Sequence, residues 1–104
     1  MVPATSADFN ADSRIDLVVS DDDANGVQVL LGNGNGTFQV ATFFAAGATP
    51  YAVTSGDFNG DGSLDLATAN FSGGSASVLL GNGNGTFQTA VDYAVGAVPQ
   101  ALTT

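Results

Sequence analysis

An all-β chain made of two tandem copies of one four-stranded antiparallel unit is what the sequence predicts, and three features carry that expectation. LLGNGNGTFQ at residues 30–39 recurs unchanged at 79–88, an offset of 49 residues. Each copy holds four short apolar or β-branched runs bounded by Gly, Asn, Asp or Pro. Finally, 14 glycines are scattered over 104 residues that include no Glu and no Lys, which favours frequent tight turns and removes two of the best helix formers.

The repeat sets the register of everything else. The same offset carries Asp8-Phe9-Asn10 onto Asp57-Phe58-Asn59 and Gly47-Ala48-Thr49-Pro50 onto Gly96-Ala97-Val98-Pro99, and about half the positions of 8–55 and 57–104 are identical. Residues 1–50 therefore form one unit and 51–99 a second. Residues 100–104 repeat the first-strand segment a third time. That redundant copy suggests strand exchange with a neighbouring chain, or else a longer array cut just past a repeat boundary.

In the second unit the strands are expected at Tyr51–Ser55, Leu64–Asn70, Ala76–Leu80 and Phe87–Val95. The Gly-Asn-Gly-Asn-Gly stretches at 32–36 and 81–85 read as tight turns between the third and fourth strands, since they supply left-handed positions without steric cost. A phosphate-binding reading of these glycines fails, because β-type residues follow them and no lysine is present. The continuous runs Ile15-Asp16-Leu17-Val18-Val19 and Val78-Leu79-Leu80 fit strands covered on both faces. In the fourth strand Phe87, Val91, Tyr93 and Val95 are expected to share a face, although Phe43 and Phe44 break that alternation in the first unit.

Four-stranded units of this length stacked face to face are the blades of a β-propeller, which needs about four to eight of them to close. Two blades leave the ring to be completed by oligomerisation or by a longer parent chain. Trimers or tetramers, giving six or eight blades, are the natural counts.

Composition narrows the partners. Ten Asp against one Arg give a formal charge of −9, which repels nucleic acid and anionic membranes. No apolar run approaches the roughly 20 residues of a membrane span, and the N-terminus lacks a signal-peptide pattern. There is no Cys or His, so disulfides and thiolate or imidazole metal sites are excluded.

The chemistry concentrates in two nine-residue loops. Asp57-Phe58-Asn59-Gly60-Asp61-Gly62-Ser63-Leu64-Asp65 places side-chain oxygens at positions one, three, five and nine, with Gly at six and the Ser63 carbonyl at seven. This is the first part of an EF-hand-type loop, in which about six to eight oxygens converge on Ca²⁺. The earlier copy keeps Asp8, Asn10, Asp12 and Asp16, with the Arg14 carbonyl at seven, but has Ala11 and Ser13 in place of Gly60 and Gly62. If position six needs a positive φ, Ser13 costs about 1 kcal/mol relative to Gly, so weaker binding is expected there. Turn-forming Asp and Asn facing water would explain one such loop. Two loops of the same spacing, each with three mutually repelling carboxylates, point to a cation. Two Ca²⁺ would bring the formal charge from −9 to −5.

Helix-flanked calcium modules do not fit, because Phe-Ser-Gly-Gly-Ser follows Leu64–Asn70, and the long period excludes a nonapeptide β-roll. Asp21-Asp22-Asp23 reads as a solvated hairpin loop, since its counterpart Asn70-Phe71-Ser72 lacks carboxylates.

These residues resemble FG-GAP and VCBS-type repeats, the blades of integrin-α-like propellers. The carriers are Gly56 to Leu66, Val78-Leu79-Leu80-Gly81-Asn82-Gly83, Thr86-Phe87 and Gly47-Ala48-Thr49-Pro50. The resemblance implies Ca²⁺ at Asp57, Asn59, Asp61, Ser63 and Asp65 and at Asp8, Asn10, Asp12, Arg14 and Asp16, with Ser63 and Arg14 acting through the backbone. It also implies a calcium loop between the first and second strands of each blade and an extracellular or cell-surface setting. Seven blades are usual in the family, and this chain carries two.

Catalysis is not expected. Without His, Cys or Lys the common nucleophile and base pairs are missing, and calcium would keep the aspartates ionised rather than leave one protonated for glycoside hydrolysis. The expected role is a calcium-stabilised structural and interaction scaffold for protein or glycan ligands. The alternative is a carbohydrate-binding, lectin-like propeller, for which Tyr51, Phe71 and Tyr93 would offer stacking faces. The unbroken GNGNGTFQ repetition fits recent duplication as well as an engineered minimal propeller.

Overall fold

A computed structural model describes residues 4–70 and 74–94. The first sheet holds β1 (Ala4–Ala7), β2 (Asp16–Asp21), β3 (Gly26–Leu30) and β4 (Thr42–Ala45). The second holds β5 (Pro50–Gly56), β6 (Asp65–Asn70), β7 (Ser75–Leu79) and β8 (Val91–Ala94). Each is an antiparallel meander in chain order, as short strands joined by Gly/Asn turns dictate. Among the described residues there is no helix.

The registers are copies of one another. Thr5, Val18, Val29 and Thr42 stand side by side across the first sheet, and Thr54, Ala67, Val78 and Val91 across the second. Each of the latter is 49 residues beyond its counterpart, so the sequence repeat is a structural repeat. This is the arrangement of two propeller blades.

The fourth strand departs from expectation. β8 runs only from Val91 to Ala94, and Phe87 makes an isolated bridge with Gly81 across the turn. Residues 88–90 leave the ladder, which resets the alternation. Phe87 is accordingly buried while Val91 and Tyr93 are exposed, so the shared face expected of these three is not formed. Val95, the 100–104 segment and its proposed strand exchange lie outside the described residues, as does Phe71.

The core is thin and shared between the units. Phe9, Val18, Val27, Val29, Val53, Leu66, Leu79 and Phe87 form one buried cluster, and β5 packs against both β1 and β2. Phe87 meets Phe9 edge-on at 5.8 Å and Phe44 at 5.4 Å between ring centroids. Burying one such side chain is worth about 1.5–3 kcal/mol, and a favourable aromatic pair adds roughly 0.5–1.5 kcal/mol.

The linker between units is held by polar contacts. The Gly47 N–H donates to Ser77 Oγ at 3.0 Å, and a Cβ at Gly47 would stand 2.4 Å from Asn70 Nδ2, so only glycine allows this approach. Beneath it Asn70 Nδ2 donates to Ser77 Oγ at 2.7 Å and to Ser75 Oγ at 3.0 Å. Thr68 Oγ1 donates to Asn70 Oδ1 at 2.9 Å, and Ser77 Oγ donates to the Asp92 carboxylate. These groups satisfy one another, as buried polar atoms must.

Coverage differs between the sheets. β6 is buried along its whole length, whereas the two runs expected to be covered on both faces are not: Ile15 is exposed, and Val78 and Leu80 are only half-buried on either side of buried Leu79. In β2 only Asp16, Val18 and Ser20 are buried, while Leu17, Val19 and Asp21 are half-buried. Asn70, which occupies in its sheet the place of Asp21, faces Gly47 of the first unit. The half-buried face of β2 is thus the one that, in the second sheet, has a neighbour stacked on it.

Candidate metal centres

Each acidic loop joins the first two strands of its sheet, β1 to β2 and β5 to β6. The expected carboxylates converge: one oxygen from each of Asp8, Asp12 and Asp16 lies within 4.8 Å of the others, and the same holds for Asp57, Asp61 and Asp65.

Backbone N–H groups shape the loops around the first aspartate. Asp57 Oδ1 accepts from Gly60 at 2.9 Å and Asp61 at 3.2 Å, and its Oδ2 accepts from Gly62 at 2.9 Å. Asp8 Oδ1 accepts from Asp12 at 3.1 Å and Oδ2 from Ser13 at 2.8 Å. Positions four and six bend through the left-handed region in both loops: Gly60 and Gly62 have φ of 72° and 87°, Ala11 and Ser13 of 59° and 65°. The positive φ expected at position six is therefore present, and in the first loop non-glycine residues adopt it.

These bonds lower both carboxyls below their ordinary value. At Asp57 the Gly62 N–H is the chief cause, acting against partial desolvation and helped by Asp61 and Gly60. At Asp8 desolvation is the largest single influence and pushes upward, but the N–H groups of Ser13, Asp12 and Ala11 with the Asp12 side chain outweigh it. Both aspartates are thereby favoured in the ionised form that a hard cation requires.

The ninth residue does something the sequence did not announce. Asp65 and Asp16 are fully buried. Asp65 Oδ2 accepts from the Phe58 N–H at 2.9 Å and Oδ1 from the Gly81 N–H at 2.8 Å, and Asp16 repeats this with Phe9 at 2.9 Å and Gly32 at 2.8 Å. Each carboxylate clamps its loop to the hairpin turn of its own sheet. An ionised carboxylate offers about four acceptor sites, so the clamp leaves lone pairs for an ion. Gly32 and Gly81 permit it: a Cβ there would stand 2.0 Å from the carbonyl oxygen of Ile15 or Leu64. The signal was the repeated glycine after Leu-Leu, one more than a turn needs.

The remaining expected ligands are placed as follows. Asn10 Oδ1 is buried without a hydrogen-bond partner, which costs about 1–3 kcal/mol unless something else satisfies it. Asn59 Nδ2 lies 3.4 Å from Asp61 Oδ2. Arg14 and Ser63 donate their N–H groups to Asp12 Oδ1 and Asp61 Oδ1, both at 2.9 Å, and their side chains lie against Gly34 and Gly83 of the hairpin turns. An all-oxygen donor set with three carboxylates and an orphaned amide oxygen fits a hard divalent cation such as Ca²⁺. Asp22 and Asp23 are exposed in the β2–β3 turn, as expected of a solvated loop, but Asp21 is the half-buried last residue of β2 and accepts from the Ala24 N–H at 3.2 Å and Gln28 Nε2 at 3.1 Å. Of the aromatic residues considered for sugar stacking, Tyr51 and Tyr93 are exposed.

The turns at 32–36 and 81–85 are alike in detail. Asn33 N–H donates to the Thr37 carbonyl at 2.9 Å and Asn82 N–H to the Thr86 carbonyl at 3.0 Å, and Gly34, Gly36, Gly83 and Gly85 all have φ between 81° and 89°. They act as turns, closing the hairpin whose first residue the ninth aspartate grips.

A family model described as an FG-GAP-like repeat matches residues 8–68 and again 57–103. No curated protein and no solved structure matches the chain.

Proposed function

Because that model covers both units, the chain belongs to the FG-GAP-like repeat family, and from this premise we propose that it is a calcium-stabilised, non-catalytic β-propeller repeat scaffold working outside the cell. The observation that carries the reading is the recurrence, at equivalent places in two sheets, of three carboxylate oxygens within 4.8 Å of one another. The orphaned Asn10 Oδ1, from the same loop as the first set, supports it.

The residues divide the work. Asp8 and Asp57 organise the loop backbone, Asp12 and Asp61 supply exposed charge, and Asp16 and Asp65 tie the loop to the hairpin turn. A bound Ca²⁺ would neutralise the mutual repulsion of the three. It would also fix the β1–β2 and β5–β6 connections, lending rigidity to a thin core. Calcium modules of extracellular proteins bind in the range of about 10⁻⁴–10⁻³ M, and the family resemblance supports that setting. The exposure of Tyr93 needs no sugar to explain it. Tyr93 stands in its sheet where Phe44 stands in the first, and Phe44 packs on Phe87 of the adjoining unit.

Thermal unfolding in excess calcium, in magnesium and in chelator tests the proposal. At a hundred times the dissociation constant a ligand adds about 2.7 kcal/mol per site, and each kcal/mol raises Tm by roughly 4–8 °C in a domain of this size. The expected result is a Tm raised by calcium, with calorimetry showing two ions per chain. A Tm indifferent to chelator would overturn the reading.

A further inference from the structure

The two units touch through unlike faces. The first contributes Phe9 and Phe44, which receive Phe87 of the second, and the Phe9 carbonyl accepts from the Gly85 N–H at 3.2 Å. Leu64 of the second unit packs against the same core and lines one crevice with Ser63, Asp8 and Phe9.

Shifting each of these residues by the repeat length produces a second set on the outer faces. Phe87 becomes Phe38 and Leu64 becomes Ile15, on the free face of the first unit. Phe9 becomes Phe58 and Phe44 becomes Tyr93, on the far side of the second. Burial separates the sets. Phe9 and Phe87 are 3% and 7% exposed, whereas Phe58, Phe38, Tyr93 and Ile15 are 44%, 39%, 57% and 61% exposed. Matching positions on matching backbones differ in whether a neighbour is stacked on them. A chain with such an exposed apolar cluster at each end carries the usual mark of an interaction site twice.

Charge points the same way. The chain's one basic side chain, Arg14, lines an open cleft of about 480 Å³ with Ser13, Ile15, Gly34 and Phe38 on the free face of the first unit. Its repeat equivalent Ser63 shares the inter-unit crevice with Asp8. A neighbour stacked in the same way would therefore present Asp57, the equivalent of Asp8, to Arg14.

We propose that these two faces are occupied by a second copy of this chain. Phe38 of one copy enters between Phe58 and Tyr93 of the next, as Phe87 enters between Phe9 and Phe44 within each chain, and Arg14 faces the Asp57 loop. The contact continues the interface already present inside the chain. Being heterologous, it adds blades until the ring closes. This inference rests on the propeller-repeat reading above and not on its calcium component.

Solution mass in millimolar calcium, by sedimentation or light scattering, tests it with the whole chain. The wild type is expected as a closed oligomer. Phe38→Asp and Tyr93→Asp each spoil one face and leave the other, so each alone is expected to lose the oligomer, while an equimolar mixture yields a one-to-one dimer and nothing larger. Arg14→Glu, which alters only an exposed side chain, is expected to weaken assembly as well, guarding against misfolding of the aromatic variants. Wild type that stays monomeric, variants that keep the wild-type mass, or a mixture that forms no dimer would overturn the proposal. A monomer whose Tm still rises with calcium would sink the interface and leave the scaffold reading standing. An oligomer whose Tm ignores calcium would support the interface and sink the metal.

Discussion

The buried carboxylate of Asp65 accepts a 2.8 Å hydrogen bond from the backbone N–H of Gly81, 16 residues further along the chain. Its other oxygen holds the Phe58 N–H at 2.9 Å, so the last residue of the acidic loop is a structural clamp as well as a candidate ligand. Asp65→Asn would set an amide donor against one of these two N–H groups deep in the fold. We expect it to lower unfolding free energy by about 1–3 kcal/mol both in chelator and in calcium. Asp61→Asn, at an exposed position, should lower stability only when calcium is present. Denaturant titrations of the two variants with and without chelator separate the roles, and an Asp65→Asn protein of wild-type stability in chelator would refute the clamp.

The clamp requires glycine at its other end. A Cβ added at Gly81 would stand 2.0 Å from the Leu64 carbonyl oxygen, and backbone must move to relieve it. Gly81→Ala should therefore cost roughly 1–3 kcal/mol or more, the scale of an overpacked site. Gly36, by contrast, has a φ of 89° and open space around its would-be Cβ, so Gly36→Ala should show only the left-handed penalty of roughly 1–2 kcal/mol. Equal and negligible effects of the two in urea unfolding would contradict the close-approach argument.

What the sequence made legible is what local chemistry controls. The repeat register follows from the 49-residue offset, and the loop carboxylates Asp8, Asp12, Asp16, Asp57, Asp61 and Asp65 and the positive φ at Ser13 from residue spacing within a few positions; the structure shows the register, the convergence of those carboxylates and the bend. The Asp65–Gly81 and Asp16–Gly32 clamps join residues of different turns, and spacing inside a loop carries no trace of them. Nor could a local pattern foresee that Phe9 is buried and Phe58 exposed, since the two have similar neighbours in sequence and differ in what is stacked on them. The misplaced start of the fourth strand has a local cause instead: Phe38 and Phe87 make the same isolated bridge to Gly32 and Gly81, and β4 and β8 begin at equivalent residues, Thr42 and Val91, whether or not a neighbour packs on the phenylalanine.

Acid should unfold the metal-free protein earlier than its burial alone would suggest. Asp8 and Asp57 have carboxyls held below their ordinary value by loop N–H groups, so they bind fewer protons folded than unfolded. Their contribution is complete above the ordinary carboxylate range near pH 4 and is lost as pH falls through the lowered values. In chelator, Asp57→Asn should flatten the fall in stability below about pH 4, as read by circular dichroism during acid titration. An identical acid transition in the variant would show that the Gly60, Asp61 and Gly62 donors do not bias the protonation of Asp57.

The two loops share their candidate ligands yet differ in backbone ease, and this yields a direction for engineering the first one. Ser13 holds a φ of 65° where Gly62 holds 87°, and a side chain in the left-handed region costs about 1 kcal/mol or more relative to glycine. In Ser13→Gly that strain disappears from the folded state. Glycine also gives the unfolded chain more freedom, which offsets part of the gain. The net effect on the apo protein should thus be small, and the expected gain in affinity rests on an ion holding the loop more tightly in this bend than the apo loop is held. Calorimetric titration should show the first site tightening severalfold while the second, at Asp57, Asp61 and Asp65, stays as it was. The reverse exchange, Gly62→Ser, should weaken the second site by a similar factor. If both substitutions leave both affinities unchanged, the left-handed bend at position six is not what distinguishes the loops.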